Sequence, residues 1–409
     1  MHTSSKEQTM HHDRSFIGIL VLSLTASPFL FATNGDTLIG VGAKTRAMGG
    51  AGIAFSHGAE STLVNPALIT HVPDTEISFG GTIFMPDVET DIGPTGSYTK
   101  SDADISVIPS VAVVSQIRDD FYIGAGMWGT AGMGTDFRGN DQLMNMETTL
   151  QLMQFAVPIA YKTGGLSIGL SPILQYGSLD IHYDSAMTGP QGDGQHQDFG
   201  FGASLGVTYD FDNGITAGAM YKSKIKMDYG DALTAATAPF ATMPGFPQGI
   251  GSHLDQPAEF GIGLGWRSGP HGIAVDWKRI QWSHADGYEQ FGWDDQDIFA
   301  VGYQYDAGIW SARIGFNHGT NPIREADGST SGGAALNMFN LLGFPATVEN
   351  HITAGGSYQL NRNFSADFTV AYALEKKTSA DISGLFGTGA EIRNKHSQIG
   401  TTVQLNYKF

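Results

Sequence analysis

Between residues 75 and 409 the chain repeats one pattern: a run of alternating apolar and small or polar residues, then a connection that is by turns short and long. Phe199, Phe201, Ala203, Leu205, Val207, Tyr209 and Phe211 share one face of such a run; Gly200, Gly202, Ser204, Gly206 and Thr208 share the other. Phe364, Ala366, Phe368, Val370, Tyr372 and Leu374 oppose Ser365, Asp367 and Thr369 in the same way. Side chains alternate across a strand, so a period of two with one apolar face reads as β-structure. Fourteen strands are predicted, at 75–90, 104–117, 120–130, 147–162, 165–184, 198–211, 214–229, 257–268, 271–283, 296–306, 308–317, 349–360, 363–377 and 392–409. Six connections are short and carry turn residues, as in Thr163-Gly164-Gly165 and Asp212-Asn213-Gly214, and seven are long. An even number of strands with short turns at one end and long loops at the other is the pattern of an outer-membrane β-barrel. A soluble array of β-sandwiches would alternate too, but strand length and the connection pattern decide against it.

Composition narrows the function. The chain has no cysteine, which excludes thiol catalysis, iron–sulfur clusters and disulfides. A net charge of -18 argues against a nucleic-acid partner. Thirteen histidines are scattered without metal-ligand spacing, and no G-x-S-x-G elbow occurs, so no metal, cofactor or catalytic residue is expected. Asp294, Asp295 and Asp297 read as a solvated acidic loop. Lys6 and Arg14 precede an apolar run from Phe16 to Ala32 that is too short to span a membrane, so residues 1–32 are expected to be a signal peptide.

One stretch fits neither strand nor helix. Residues 42–70 contain Gly42, Gly49, Gly50, Gly52 and Gly58, yet also Met48, Ile53, Phe55, Leu63, Leu68 and Ile69. So short a segment cannot build its own core and must be buried in something larger. The barrel is the only container on offer, and residues 33–74 are expected to plug its lumen.

The run Gly42-Ala43 to Ala47-Met48-Gly49-Gly50-Ala51, followed by Asn65-Pro66-Ala67-Leu68-Ile69-Thr70, resembles the hatch of the long-chain fatty acid outer-membrane transporter family. The segment Tyr221–Tyr229 and the C-terminal Asn406-Tyr407-Lys408-Phe409 are similar to that family as well. The resemblance implies an all-β fold: a 14-stranded antiparallel transmembrane β-barrel (75–409) with an N-terminal hatch (33–74) in its lumen, in the outer membrane of a Gram-negative bacterium. It implies no enzyme but passive transport of a long-chain fatty acid or another hydrophobic small molecule, with outer-membrane lipid around the wall. Terminal Phe409 is the expected signal to the barrel-assembly machinery. In the family Asn-Pro-Ala lies against an inward kink of the third strand that opens the wall sideways. The expected gate is therefore Asn65, Pro66 and Ala67 with Gly49 and Gly50. Gly124, Gly126, Gly129 and Gly132 weaken the third strand where the opening would lie.

Two further groups of residues stand out. Met144 in one long loop, Phe240, Met243 and Phe246 in a second, and Met338, Phe339 and Leu342 in a third are apolar where water-facing loops would be polar. They predict an exposed capture patch for ligand, or a lid in which the loops bury one another. Strand parity turns Lys222, Lys224, Lys278 and Arg313 inward, as candidates for a carboxylate head group or for structural pairing with inward acids. The resemblance implies an inward basic residue on the fifth strand, but Leu174-Gln175-Tyr176-Gly177-Ser178 carries none. That departure leaves neutral hydrocarbons or aromatics as alternative cargo. A structural or adhesive surface barrel is the reading without transport.

Overall fold

In the computed structural model the wall is inside-out relative to a soluble protein. Phe201 is 78% exposed, while Thr208 on the opposite face of the same strand is 1% exposed. Phe368, Tyr372, Val403 and Leu405 are exposed, whereas Thr369, Gln398, Thr402, Gln404 and Asn406 are buried. A sandwich core would invert both sets, so this alternation belongs to a barrel with lipid outside and polar side chains inside. The structure describes residues 33–93, 96–186 and 188–409. The signal peptide expected over 1–32 lies outside them.

Fourteen antiparallel strands form the wall. They are β1 Thr75–Ile92, β2 Ser106–Arg118, β3 Phe121–Asp136 and β4, which runs Glu147–Ala156 and resumes at Ile159–Thr163 after Pro158. Next come β5 Leu166–Ser185, β6 His196–Asp210, β7 Ile215–Lys222, β8 Glu259–Ser268 and β9 His271–Ile280. The wall ends with β10 Gln296–Asp306, β11 Trp310–Gly319, β12 Asn350–Gln359, β13 Phe364–Asp381 and β14 Glu391–Lys408. β14 pairs with β1 from Lys408–Glu76 to Ile392–Ile92, which closes the cylinder.

The seventh strand is shorter than expected. It leaves the ladder at Lys222, and the next stretch turns inward, held by bridges from Ile225 to Gln256 and from Asp228 to His253. Ile225, Met227 and Tyr229 then pack on the inner wall over Gly200, Gly202 and Gly177, where any Cβ would collide with them.

Residues 33–74 run inside the wall. Two short paired strands, Thr33–Asn34 and Thr37–Leu38, lead into helix α1 (Ala43–Ala47) and two 3₁₀ turns, Gly58–Leu63 and Pro66–His71. The segment is fastened to inward-facing groups of the wall. Asp276 on β9 accepts the Gly52 and Ile53 amides at 2.7 and 2.8 Å, and Thr353 on β12 accepts the Gly49 amide at 3.0 Å.

Candidate functional site

The β2–β3 ladder runs from Arg118–Phe121 to Ser110–Trp128 and stops there, although both strands continue. The reason is local. The Trp128 ring folds over Gly126, whose missing side chain makes the room, and a bulge on the β4 side falls between Gly129 and Ala131. From Trp128 to Asp136 every residue of β3 is buried on both faces, because the strand has bent into the lumen. It finds a new partner in the N-terminal segment. Thr37 pairs with Ala131, and the Gly132 amide donates to the Asp36 carbonyl at 3.0 Å. Leu38 packs with Phe84, Ala103 and Ile108, filling the side of the wall that β3 has left.

Asp36 ties this place to the long loops. Its carboxylate, wholly buried, accepts from the Tyr288 hydroxyl at 2.5 Å and from Gln256 Nε2 at 2.8 Å. Burial raises its pKa to about 6, against the opposing pull of those hydrogen bonds. Tyr288 in turn packs with Trp282 and Trp293, ring centroids 4.7 to 5.1 Å apart.

A cavity of about 80 Å³ lies between the N-terminal segment and the wall. Ile53, Met220 and Ile298 line it together with Lys222, Glu259 and Lys278. Glu259 is shared by both lysines, with Lys278 at 2.9 Å, so the trio carries one net positive charge. Lys224 lies beyond the end of β7, half-buried, 3.3 Å from Asp255. Arg313 is elsewhere. It borders a polar cavity of about 400 Å³ at the short-turn end, donating to Gln304 at 2.8 Å and Ser357 at 2.7 Å. The four basic residues are thus not one cluster; only Lys222 and Lys278 meet. The short-turn end also holds a buried ionic floor. Lys44 sits 3.8 Å from both Glu76 and Asp367, while Glu60 accepts from the Thr45 amide and hydroxyl at 2.6 Å each and from Gln404 at 2.8 Å.

The Asn-Pro-Ala turn is well ordered by its own chemistry. Asn65 caps it by accepting the Ala67 amide at 3.1 Å, with Pro66 at the first helical position. Its Nδ2 donates to Ile53 at 2.7 Å and to Ala219 of β7 at 3.3 Å, over Gly206 and Gly169. The turn therefore sits on β5, β6 and β7, and Asp36–Leu38 rather than Asn65–Ala67 meets the bent part of β3. Gly49 and Gly50 adopt φ of +69° and +86°, and a Cβ at Gly49 would lie 2.6 Å from the Phe316 carbonyl. They let the chain pass close under β11.

The apolar loop residues do not form an exposed patch. Phe240, Phe246, Met338, Phe339 and Leu342 are buried, and Met144 and Met243 are half-buried against them. The loops cover one another as a lid, because a short helix, Ser331–Met338, and the turn Phe339–Gly343 fold their apolar sides onto the neighbouring loops. A small cavity beside the exposed Phe386 brings together Met144, Phe240, Met338 and Phe339. Sequence reasoning singled out neither Asp36, Leu38 and Glu259 nor the aromatic loop. The density of Trp282, Tyr288, Phe291 and Trp293 in one connection was the signal available.

The family model described as outer membrane protein transport protein (OMPP1/FadL/TodX) matches residues 21–409. A long-chain fatty acid transport protein of Escherichia coli O6:H1 is 25% identical, over 96% of this chain and 97% of its own length. A 47 kDa outer membrane protein of Pasteurella multocida is 22% identical, over 87% and 89%. Among solved structures, a Pseudomonas aeruginosa FadL homologue superposes with a TM-score of 0.70 at 15% identity, over 92% of this chain and all of that one. The Pseudomonas putida toluene transporter TodX does so at 0.67 and 19%, with the same coverage. These two likenesses are of fold.

Proposed function

The chain belongs to the outer membrane protein transport protein family (OMPP1/FadL/TodX), and from that premise we propose that it carries long-chain fatty acids and releases them sideways between β2 and β3. As a member it is an outer-membrane carrier of hydrophobic compounds; the cargo and the route are our reading.

The observation that carries the route is the end of the β2–β3 ladder at Ser110–Trp128, with Leu38 of the hatch in the space beyond it. Downward passage would take an apolar chain past Lys44, Glu60, Glu76 and Asp367 and out into water. Exposing methylenes costs roughly 0.8 kcal/mol each, on the order of 13 kcal/mol for a chain of sixteen. A sideways exit into lipid avoids that cost. The hatch (33–74) acts as the moving part, pivoting on the Asn65–Ala67 turn and the glycines at 49 and 50, and Phe409 serves assembly of the barrel. The central cavity, about 80 Å³, is well below the ~300–1,000 Å³ of sites that enclose a sizeable ligand. Loading therefore requires the hatch to shift.

Lys222 and Lys278, which share Glu259 and line the cavity together with Asp276, are the cationic donors that support a carboxylate head group there. A second reading, uptake of neutral aromatics, draws support from the cavity walled by Tyr288, Phe291, Trp293 and Phe344 with no cation among its lining residues. Titration of the purified protein with oleate and with toluene separates the two. Saturable oleate binding weakened by Lys278→Met supports the fatty-acid reading. Toluene binding without oleate binding moves the assignment to aromatics, and binding of neither removes both.

A further inference from the structure

Arg46 on α1 is 1% exposed, and the only hydrogen bond of its guanidinium among the described residues is a long one, 3.4 Å from Nη1 to the Gly40 carbonyl. Nε and Nη2 have no partner among the described residues. No carboxylate among the described residues compensates it, and burial draws its pKa down to about 10, which leaves it a cation at neutral pH. The other inward cations differ. Lys44 faces Glu76 and Asp367, Lys222 and Lys278 share Glu259, and Arg313 has Gln304 and Ser357. A buried guanidinium without a counter-ion is costly, and the fork of N–H donors it presents matches a carboxylate.

Its position gives this a direction. A Cβ at Gly400 on β14 would lie 2.7 Å from Arg46 Nη2 and 3.6 Å from Phe84 Cδ2. The guanidinium and the Phe84 ring thus border the same spot. Phe84 packs with Leu38, Ala103 and Ile108 where the β2–β3 ladder has ended. The free donors therefore stand at the inner end of an apolar strip that leads to the wall opening. His351 on β12 lies within their electrostatic reach.

We infer that Arg46 is an exit-side head-group site: its guanidinium takes the carboxylate of an anionic amphiphile whose tail lies along Phe84, Leu38 and Ile108 toward the opening. The inference rests on the fatty-acid reading and adds a second cationic station to the one at Lys222 and Lys278. A chain leaving tail-first enters lipid while its carboxylate is still held inside. The site is closed here, since nothing as large as a methyl fits at Gly400, so it forms as the hatch yields. A neutral cargo gains nothing from it, and a ligand shifts a conformational equilibrium only by its differential affinity.

The test uses the full-length mature protein in liposomes, with uptake of oleate and of oleyl alcohol followed separately. Arg46→Met is expected to slow oleate uptake about tenfold or more, the worth of a charge-assisted hydrogen bond, and to leave oleyl alcohol unchanged. Arg46→Lys, which keeps the charge and loses the fork, should fall between. Removing an unpaired buried charge should also raise the unfolding temperature of Arg46→Met. Unchanged oleate uptake in the Met variant, or equal loss of both cargoes in the Lys variant, overturns the inference. If the wild type neither binds nor carries oleate, the fatty-acid reading itself fails and takes this one with it, an outcome visible before any variant is made.

Discussion

Tyr288 and Asp36 are joined by a 2.5 Å hydrogen bond that links a long loop to the N-terminal segment at the residue holding the bent third strand. Displacing Tyr288 from above would therefore loosen Asp36 and, through its carbonyl, Gly132. Tyr288→Phe deletes that donor from a buried carboxylate, at a cost of about 1–3 kcal/mol. The Gly132 amide should exchange faster with solvent in this variant while amides in β9 and β10 are unchanged. Equal protection at Gly132 in both proteins would show that the two ends are not coupled.

The same carboxylate makes the latch sensitive to pH. Its folded-state pKa of about 6 lies above the ordinary aspartate value of 3.8, so the folded form binds the proton more tightly than the open one. Stability is then greatest below about pH 4, declines as pH rises from about 4 to 6, and is level above, with a total of the order of 3 kcal/mol. Protection of Gly132, corrected for intrinsic exchange, should be higher at pH 5 than at pH 7, and Asp36→Asn should flatten the dependence. A rise in protection with increasing pH would contradict this assignment.

Thr37 and Ala131 are directly opposed in antiparallel register, a pair whose Cα atoms lie about 4.5–5.5 Å apart and within reach of a disulfide. The chain has no cysteine to compete. Thr37→Cys with Ala131→Cys should, when oxidised, pin the segment across the bend and abolish uptake, and reductant should restore it. Full uptake by the oxidised pair would mean that the segment need not leave β3.

The wall was legible because it depends on short-range alternation, which Phe201 and Thr208 or Phe368 and Thr369 display in any window of the sequence. What alternation lacks is a sense of side once a strand leaves its ladder. Ile225, Met227 and Tyr229 keep the period of β7, yet they face the inner wall because Gly177, Gly200 and Gly202 make room for them. Lys224 thereby became a loop residue paired with Asp255. The apolar loops were visible, but whether Phe240 and Phe339 face water or each other depends on contacts between distant loops. The latch was hidden for the same reason, with 252 residues separating Asp36 from Tyr288 and 220 separating it from Gln256.

Glu259 stands between two lysines, and its removal should favour an anionic cargo. Glu259→Gln leaves Lys222 and Lys278 without their shared carboxylate, so oleate binding should tighten several-fold while toluene binding is unaffected. Lys278→Met should do the reverse, weakening oleate about tenfold. Isothermal titration in detergent reads both. Oleate affinity insensitive to either change would remove the central cavity as the head-group site.

Phe291 and Phe339 stack with centroids 5.1 Å apart and planes within 4° of each other, fastening the aromatic loop to the turn that follows the lid helix. Both rings are buried, whereas Phe386 beside the neighbouring small cavity is 49% exposed. Cargo arriving from outside meets Phe386 before it meets the stack, so the two positions should affect uptake differently. Phe386→Ser should raise the half-saturating oleate concentration several-fold and leave the saturating rate alone, since it removes apolar contact worth roughly 1.5–3 kcal/mol only at first encounter. Phe339→Ala opens a cavity in the lid at about 3–5 kcal/mol, so loop amides should lose protection and cargo should enter faster at low concentration. Slower entry in Phe339→Ala with the loops still protected would make the ring a binding surface instead of a fastening for the lid.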